Sequence, residues 1–150
     1  PYEHKLLKSL GAEPLERDFD GAYLYRETRN KRGNIKSLIM NARVVVGVGN
    51  IYANESLFKA GIHPHRLANR ISFQRYSKLA QEIKDVLWES IISGGTTLKD
   101  FYDKDGNPGY FKTKLKVYGK EGQPCSACTR PIKHIITGKR ATYYCSHCQR

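Results

Sequence analysis

Residues 125–128 read CSAC and residues 145–148 read CSHC, so two C-x2-C pairs stand 16 residues apart. This spacing is typical of a structural zinc site, in which four thiolates surround one ion tetrahedrally. Two disulfides or a redox dithiol are the alternatives. A basic chain without a secretory signal favours a reducing compartment, and hence the metal. The sequence therefore predicts one structural zinc ion, with these ligands: Cys125, Cys128, Cys145 and Cys148.

The segment between the cysteine pairs predicts a β-hairpin. Residues 132–136 and 140–144 are short β-prone runs on either side of Thr137-Gly138-Lys139. Residues 119–150 include few apolar side chains, so we expect folding here to depend on the metal, which contributes about 10–16 kcal/mol in zinc-finger peptides. The tip of the hairpin is expected to project Lys139 and Arg140 outward.

Positive charge is concentrated in two places. The whole chain holds 26 basic and 14 acidic residues, whereas residues 112–150 hold 9 basic residues and 1 acidic residue. A second group of basic residues surrounds the single acid Glu27: Arg26, Arg29, Lys31, Arg32, Lys36 and Arg43. Two such patches favour a nucleic-acid backbone as partner over a merely solvated surface. A membrane is disfavoured, since no apolar run approaches 18 residues and no amphipathic basic helix stands out.

Helix signals dominate the first two thirds of the chain. Residues 2–10 predict a short helix, Asp20 caps a helix over residues 21–30, and further helices are expected over residues 35–41 and 50–60. The longest helix is predicted from Phe73 to about Ser93, with Ser72 as N-cap and an apolar stripe facing the core. That stripe comprises Phe73, Tyr76, Ala80, Ile83, Leu87 and Ile91, and we expect Trp88 to pack with it.

Residues 44–53, VVVGVGNIYA, join an apolar run to a G-x-G turn and a helix start. A dinucleotide-binding interpretation fails, because the third small residue of that motif falls on Tyr52 and no parallel βαβ pattern follows. Glycines and a helix N-terminus still favour the approach of a phosphate. The pattern places Asn50 where such a phosphate would bind.

Six ordered motifs and the cysteine module resemble bacterial formamidopyrimidine-DNA glycosylases along nearly the whole chain. The motifs are GVGNIYA at 47–53, ESLF at 55–58, GIHP at 61–64, GGTTLKDF at 94–101, GYF at 109–111 and VYG at 117–119. The resemblance implies a mainly α fold, a helix-two-turn-helix domain followed by a β-hairpin zinc finger. It implies an enzyme of DNA base-excision repair that removes oxidised purines such as 8-oxoguanine and formamidopyrimidines, and that cuts the abasic strand as an AP lyase.

In that family the nucleophile is the N-terminal proline of a Pro-Glu-Leu-Pro motif, which opens a β-sandwich domain. Pro1 is followed by Tyr2-Glu3-His4 instead, and residues 1–20 resemble the inter-domain connector. A terminal amine without positioned acid and base neighbours forfeits most of its catalytic advantage. We therefore expect this chain to be the DNA-binding half, lacking the catalytic domain and inactive as a glycosylase alone.

The resemblance also implies roles for individual residues. Lys36, Asn50 and Arg140 match family residues that hold DNA phosphates around a flipped nucleotide; the alternatives are a solvated lysine, a plain N-cap and an exposed strand arginine. Glu55 could brace an inter-domain contact. Residues 96–111 match a loop that closes over the flipped base, within a DNA-binding domain of residues 21–111, followed by a zinc module of residues 112–150.

Other readings stay open. The expected partner is double-stranded DNA with oxidised bases or abasic sites, bound by a monomer in the bacterial cytoplasm at the nucleoid. The alternatives are the endonuclease VIII branch, which takes oxidised pyrimidines, a weak lyase using a local amine, and an unrelated zinc-ribbon nucleic-acid-binding protein. The zinc-ribbon reading does not explain the motifs at 47–53 and 94–101.

Overall fold

The computed structural model describes residues 11–92 and 115–150. Within them lie four α-helices and one two-stranded antiparallel sheet. The elements are α1 (Gly21–Thr28), α2 (Ile35–Ile39), α3 (Asn50–Ala60), α4 (Phe73–Ile92), β1 (Lys133–Thr137) and β2 (Arg140–Tyr144), with a 3-10 turn at Ala68–Arg70. The prediction of a mainly helical domain followed by a β-hairpin is confirmed.

Local capping chemistry sets the helix boundaries. Asp20 is the N-cap of α1 and accepts a hydrogen bond from the Tyr23 N–H. Asn34 is the N-cap of α2 and accepts one from the Ser37 N–H; Asp and Asn are among the residues preferred at this position. The helices α1 and α2 each end two residues before the predicted boundary. Helix α3 ends at Gly61, whose φ of 74° is left-handed, and the Ile62 N–H returns to the Leu57 carbonyl.

The core lies where α4 packs against α1 and α3. Tyr76, Leu79, Ala80, Ile83 and Val86 are buried along one face of α4. The predicted stripe is therefore correct at its centre, whereas Phe73 and Ile91 at its ends are exposed.

Trp88 does not pack in the core, contrary to the prediction from its aromatic character. Its side chain is 55% exposed. At 3.6 residues per turn, a residue two positions after buried Val86 lies about 200° around the helix axis. The helical period thus places Trp88 on the outer face of α4.

The hairpin turns through two residues. Gly138 and Lys139 both have positive φ, 55° and 68°, between the paired residues Thr137 and Arg140. Positive φ at both central residues is the pattern of a type I′ turn, whose twist matches that of the strands. The turn leaves Lys139 and Arg140 exposed, as the sequence predicts.

Residues 115–150, which include β1 and β2 and are called the hairpin module below, are anchored to the helical domain by a buried carboxylate. Glu55 on α3 is 2% exposed and accepts hydrogen bonds from the backbone N–H groups of Lys116 (2.7 Å), Val117 (2.9 Å) and Tyr118 (2.9 Å). Hydrogen bonds to a charged acceptor are worth about 1.5–3 kcal/mol each. The expected bracing role of Glu55 is therefore seen in the structure.

A second anchor lies at the other end of the module. The buried Gln149 side chain accepts from the Cys145 N–H at 2.8 Å and donates to the Ile62 carbonyl at 2.9 Å. The module is thus held at both ends by side-chain amide or carboxylate groups that bind backbone.

The predicted domain boundaries at residues 20 and 111 stay predictions, and the predicted helix over residues 2–10 lies outside the described residues. Among residues 11–92 and 115–150, no helix has the length and apolar character needed to cross a membrane.

Gly21 provides a test of the packing between α1 and α4. A Cβ added there would lie 2.3 Å from Ser77 Oγ and 2.4 Å from Ser77 Cα, so the helices must separate. Ala is the better helix former by about 0.8–1.0 kcal/mol, but overpacking costs about 1–3 kcal/mol. We expect Gly21→Ala to lower the free energy of unfolding, measured by urea titration.

Gly33→Ala is the matched control, because a Cβ there meets only Leu38 side-chain atoms at 3.8 Å and 4.0 Å. Equal stability of the two variants would contradict the close approach of α1 and α4.

Candidate nucleic-acid interface and metal centre

Two side chains from different helices bind one carbonyl group of the hairpin. Lys36 of α2 donates from Nζ to the Ala141 carbonyl at 3.2 Å, and Asn50 of α3 donates from Nδ2 to the same oxygen at 3.0 Å. Arg140 precedes Ala141 on β2. The structure therefore brings together Lys36, Asn50 and Arg140, the residues that the sequence singles out as DNA-binding.

Lys36 is not a solvated lysine, and within residues 11–92 and 115–150 it forms no ion pair with an acid. It is 1% exposed, and Nζ also donates to Thr142 Oγ1 at 2.7 Å. Burial, and then the positive charge of Arg140, lower the pKa of Lys36 from its ordinary value to about 8. An anion that binds beside Lys36 would stabilise this desolvated ammonium.

A cavity of about 230 Å³ lies beside Lys36. It is lined by Lys36, Ser37, Met40, Thr137, Gly138 and Arg140. The part of the lining that belongs to the described residues holds two cations, two hydroxyl groups and no acid. These groups suit an anionic oxygen ligand such as a phosphate.

Asn50 opens α3 after Gly49, which makes no side-chain cap hydrogen bond to the first turn. Helix N-termini attract anions because their N–H groups lack intrahelical partners and the helix dipole is positive there. Gly47, in the same turn, has a φ of 84°, which glycine adopts without strain. The glycine turn thus places Asn50 at the start of α3, from where its side chain reaches the Ala141 carbonyl of the hairpin.

The predicted basic patch around Glu27 is only partly available to a polyanion. Arg26, Lys31, Arg32 and Arg43 are exposed. Arg29 is instead a structural residue: its guanidinium donates to the carbonyls of Tyr25, Ala68, Asn69 and Ile71. It also lies 3.8 Å from the centroid of the Tyr25 ring.

The four cysteine sulfurs form one cluster, with all Sγ atoms within 4.8 Å of one another. Cys125 and Cys148 are 3.9 Å apart at sulfur, and Cys128 and Cys145 are 3.4 Å apart. Disulfide sulfurs lie about 2.0 Å apart. A tetrahedron with zinc–sulfur bonds of about 2.3 Å has sulfurs about 3.8 Å apart. The donor set fits a four-thiolate metal site, and exposed His147 is not part of it.

Backbone N–H groups point at these sulfurs. The Ala127 N–H donates to Cys125 Sγ and the Cys148 N–H donates to Cys145 Sγ, both at 3.4 Å. Each C-x2-C turn therefore supplies one hydrogen bond to its own leading thiolate, which stabilises the charged form that a metal requires.

Sequence reasoning missed three contacts that hold this region together. Asn54 accepts from the Tyr143 N–H at 2.7 Å, His65 Nε2 lies 2.6 Å from Thr137 Oγ1, and Gln149 links Cys145 to Ile62. Asn54 and Gln149 are polar residues that belong to no sequence motif. Their burial is what marks them as structural, and the neighbouring sequence does not predict that burial. The predicted lesion loop, residues 96–111, lies outside the described residues.

The sequence of this chain is similar to those of known DNA-repair enzymes. Residues 10–102 match the family model of the formamidopyrimidine-DNA glycosylase H2TH domain. Formamidopyrimidine-DNA glycosylase of Marinobacter nauticus is 57% identical over 147 residues, covering 98% of this chain and 54% of that protein. The same enzyme of Methylococcus capsulatus is 55% identical over 150 residues, covering 100% of this chain and 55% of that protein.

Solved structures agree with the sequence matches. MutM (Fpg) of Thermus thermophilus superposes with a TM-score of 0.84 at 39% identity, over 98% of this chain and 56% of that one. A complex of Lactococcus lactis Fpg with DNA containing an abasic site gives 0.87 at 33% identity, over 99% and 55%. The chain thus spans about half the length of the curated relatives that it matches.

The lowered pKa of Lys36 can be tested by titration. We expect Lys36 to lose its proton near pH 8, and Arg140→Gln to raise its pKa while burial keeps it below the ordinary value. The measurement is a 13C NMR titration of the lysine Cε signals. Lys139→Gln, which removes an exposed charge from the same turn, is the control. A Lys36 signal that titrates with the exposed lysines would contradict the burial.

The lowered pKa of Lys36 also makes the free energy of unfolding depend on pH. Between about pH 8 and the unfolded value, the folded state binds fewer protons at Lys36 than the unfolded state does. The destabilising charge is therefore fully present below pH 8 and is relieved as the pH rises. Wild-type stability should rise relative to Lys36→Met over this window.

Proposed function

Because the chain belongs to the formamidopyrimidine-DNA glycosylase family, we propose that it is the DNA-binding half of a base-excision-repair glycosylase and AP lyase. Its substrate in the full protein is double-stranded DNA carrying oxidised purines, such as 8-oxoguanine and formamidopyrimidines. The observation that carries this proposal is the convergence of Lys36, Asn50 and Arg140 on one side of the hairpin. These residues come from three elements that only the tertiary fold brings together.

The proposed contact is with the DNA backbone rather than with bases. Lys36 and Arg140 supply positive charge, and Asn50 supplies a neutral N–H donor at a helix N-terminus. Charge and N–H donors of this kind fix a duplex in register without reading its sequence. Contacts to the phosphates on both sides of a nucleotide would stabilise a bent duplex. Bending lowers the free-energy cost of extruding a base, which is a few kcal/mol.

The buried state of Lys36 suits this role. A phosphate beside Lys36 would stabilise its charged form and raise its pKa above the value of about 8 in the free protein. The charged form is then favoured further at neutral pH, and the ammonium can keep its hydrogen bond to Thr142 beside the cavity. The site is thus preorganised by burial in advance of the ligand.

We propose one structural zinc ion for the four-cysteine cluster. Cys125, Cys128, Cys145 and Cys148 would hold it, and no open position remains for catalysis. Its role is to fold the hairpin module, whose own core in the described residues consists of Val117, Cys125, Ile132 and Cys145.

Two relatives support the choice of substrate class. The Lactococcus lactis enzyme has been crystallised with DNA containing Fapy-dG, and MutM with DNA containing carbocyclic 8-oxo-G. The same Lactococcus lactis enzyme has also been crystallised with DNA containing an oxidised pyrimidine, so the preference for oxidised purines over the endonuclease VIII alternative rests on the family match. We place the full protein in the bacterial cytoplasm as a monomer acting at the nucleoid.

Removal of the metal should unfold the hairpin module and spare the helices. The helical core includes buried residues from all four helices and does not depend on the cysteines. We expect a bound-zinc stoichiometry of one. Chelation should abolish chemical-shift dispersion for residues 115–150 while most helical circular dichroism persists.

Cys145→Ser should reproduce the effect of the chelator, whereas Ser146→Ala, within the same C-x2-C turn, should leave zinc content unchanged. Retention of a stoichiometric metal by Cys145→Ser would contradict a four-thiolate site.

The salt dependence of DNA affinity distinguishes contacts made by charged side chains from those made by neutral ones. We expect the zinc-loaded chain to bind a duplex with an abasic-site analogue, and log affinity to fall linearly with log salt concentration. Arg140→Gln should weaken binding and reduce the magnitude of the salt slope by about 1. Asn50→Ala should weaken binding with an unchanged slope, since it removes no charge.

Lys78→Gln is the matched control, because it removes an exposed charge from the outer face of α4. An undamaged duplex of the same sequence is measured beside the damaged one. Equal loss of affinity in Arg140→Gln and Lys78→Gln, or no binding by the wild-type chain, would overturn the proposed interface.

A further inference from the structure

We propose that Asn54 is the positioning residue that holds Asn50 and β2, and with β2 Arg140, in one fixed arrangement for the DNA backbone. The inference rests on the proposed function and assigns a role to a residue that does not itself face the cavity. Asn54 lies one helical turn after Asn50 on α3 and is 1% exposed.

The Asn54 carboxamide joins two elements. Its Oδ1 accepts from the Tyr143 N–H on β2 at 2.7 Å, and its Nδ2 donates to the Asn50 backbone carbonyl at 2.8 Å. The same Nδ2 lies 3.4 Å from Asn50 Oδ1 and 3.4 Å from the Ala141 carbonyl oxygen. Both ends of this buried amide are therefore used, one on the strand and one on the helix.

The contacts also fix which way the Asn50 side chain faces. Asn50 Nδ2 donates to the Ala141 carbonyl at 3.0 Å, while Asn50 Oδ1 faces the donor Nδ2 of Asn54. A flipped Asn50 would bring its oxygen against the Ala141 carbonyl and its NH2 against that of Asn54. Since an amide nitrogen carries two hydrogens, the observed orientation leaves a second N–H of Asn50 to donate to a phosphate.

Arg140 depends on the same residue through the strand. Ala141 and Tyr143 are alternate residues of β2, so the Ala141 carbonyl and the Tyr143 N–H face the same edge, away from β1. Asn50 and Lys36 bind the first group and Asn54 binds the second. Together they fix the strand along its own axis, and the position of Arg140 follows from that of Ala141.

A double-mutant cycle on the zinc-loaded 150-residue chain tests the inference. The variants are Asn50→Ala, Asn54→Ala and the double variant, measured by fluorescence anisotropy against a duplex with an abasic-site analogue. We expect each single variant to lose about tenfold in affinity, on the scale of one hydrogen bond. The double variant should lose clearly less than the sum of the two single losses, because part of the effect of Asn54 is exerted through Asn50.

The control is Gln81→Ala, which removes an exposed carboxamide that donates to Asp85 on the outside of α4. It should leave affinity unchanged. Fully additive losses in the double variant would show that Asn54 acts independently of Asn50 and would overturn the inference.

NMR of the Asn50 side-chain amide separates positioning from general stability. In Asn54→Ala the Asn50 NH2 signals should shift, while those of Gln81 stay in place. Unchanged Asn50 signals would overturn the inference whatever the affinity. A wild-type chain that fails to bind DNA would overturn the proposed function, whereas binding lost in Asn50→Ala with intact binding in Asn54→Ala would sink the role of Asn54 alone.

Discussion

The outer edge of β2 is the constraint on which the candidate site depends. A two-stranded sheet leaves each strand with one edge that no other strand pairs. Backbone groups buried without a partner cost about 1–3 kcal/mol each. Here Lys36, Asn50 and Asn54 occupy that edge in place of a third strand. The surface that docks the hairpin and the surface proposed to bind DNA are therefore built from the same side chains.

Positive charge serves two different purposes in this chain. Arg29 directs its donors at four carbonyls and ties α1 to the segment around the 3-10 turn. Lys36 is also buried, but among the residues that the structure describes its Nζ meets two neutral acceptors and forms no ion pair. Arg29, whose donors are bound by carbonyl groups, is a structural residue. Lys36 is a buried cation next to another cation, Arg140, and an external anion would stabilise it. Net charge alone does not distinguish these roles.

Many helix and turn boundaries could be predicted from residues close together in the sequence. Asp20, Gly61 and the residues at positions 138 and 139 determine helix and turn boundaries through groups within a few positions of each other, and the structure agrees with them. The four cysteines behave similarly because metal-ligand spacing is local. The exposure of Trp88 was not predicted, since residue type suggested burial while the helical phase directs it outward. Phe73 and Ile91 lie within about 20° of buried Ala80 around the helix axis, yet both are exposed at the two ends of α4, where periodicity alone does not predict burial.

The candidate site was readable only in part. Lys36, Asn50 and Arg140 were identified through resemblance, but the burial of Lys36 arises from the docking of a hairpin more than 100 residues later in the chain. Asn54, Glu55 and Gln149 act on backbone atoms of distant segments, and no local pattern encodes such a partner. Glu55 lies within the quoted ESLF motif, yet its three N–H donors come from residues 116–118, and their approach is a property of the tertiary fold.

Most anchors of the hairpin module bind peptide groups, whereas the contacts of His65 with Thr137 and of Lys36 with Thr142 involve hairpin side chains. Glu55 binds three consecutive N–H groups, Asn54 binds another, and Gln149 binds one N–H and one carbonyl. Every amino acid except proline offers those groups, so the side chains at the anchored positions are free to diverge while the docking geometry persists. Hairpins of unrelated surface sequence can accordingly be grafted onto this helical body, and new contacts to a bound partner can evolve at the tip without disturbing the joint beneath it.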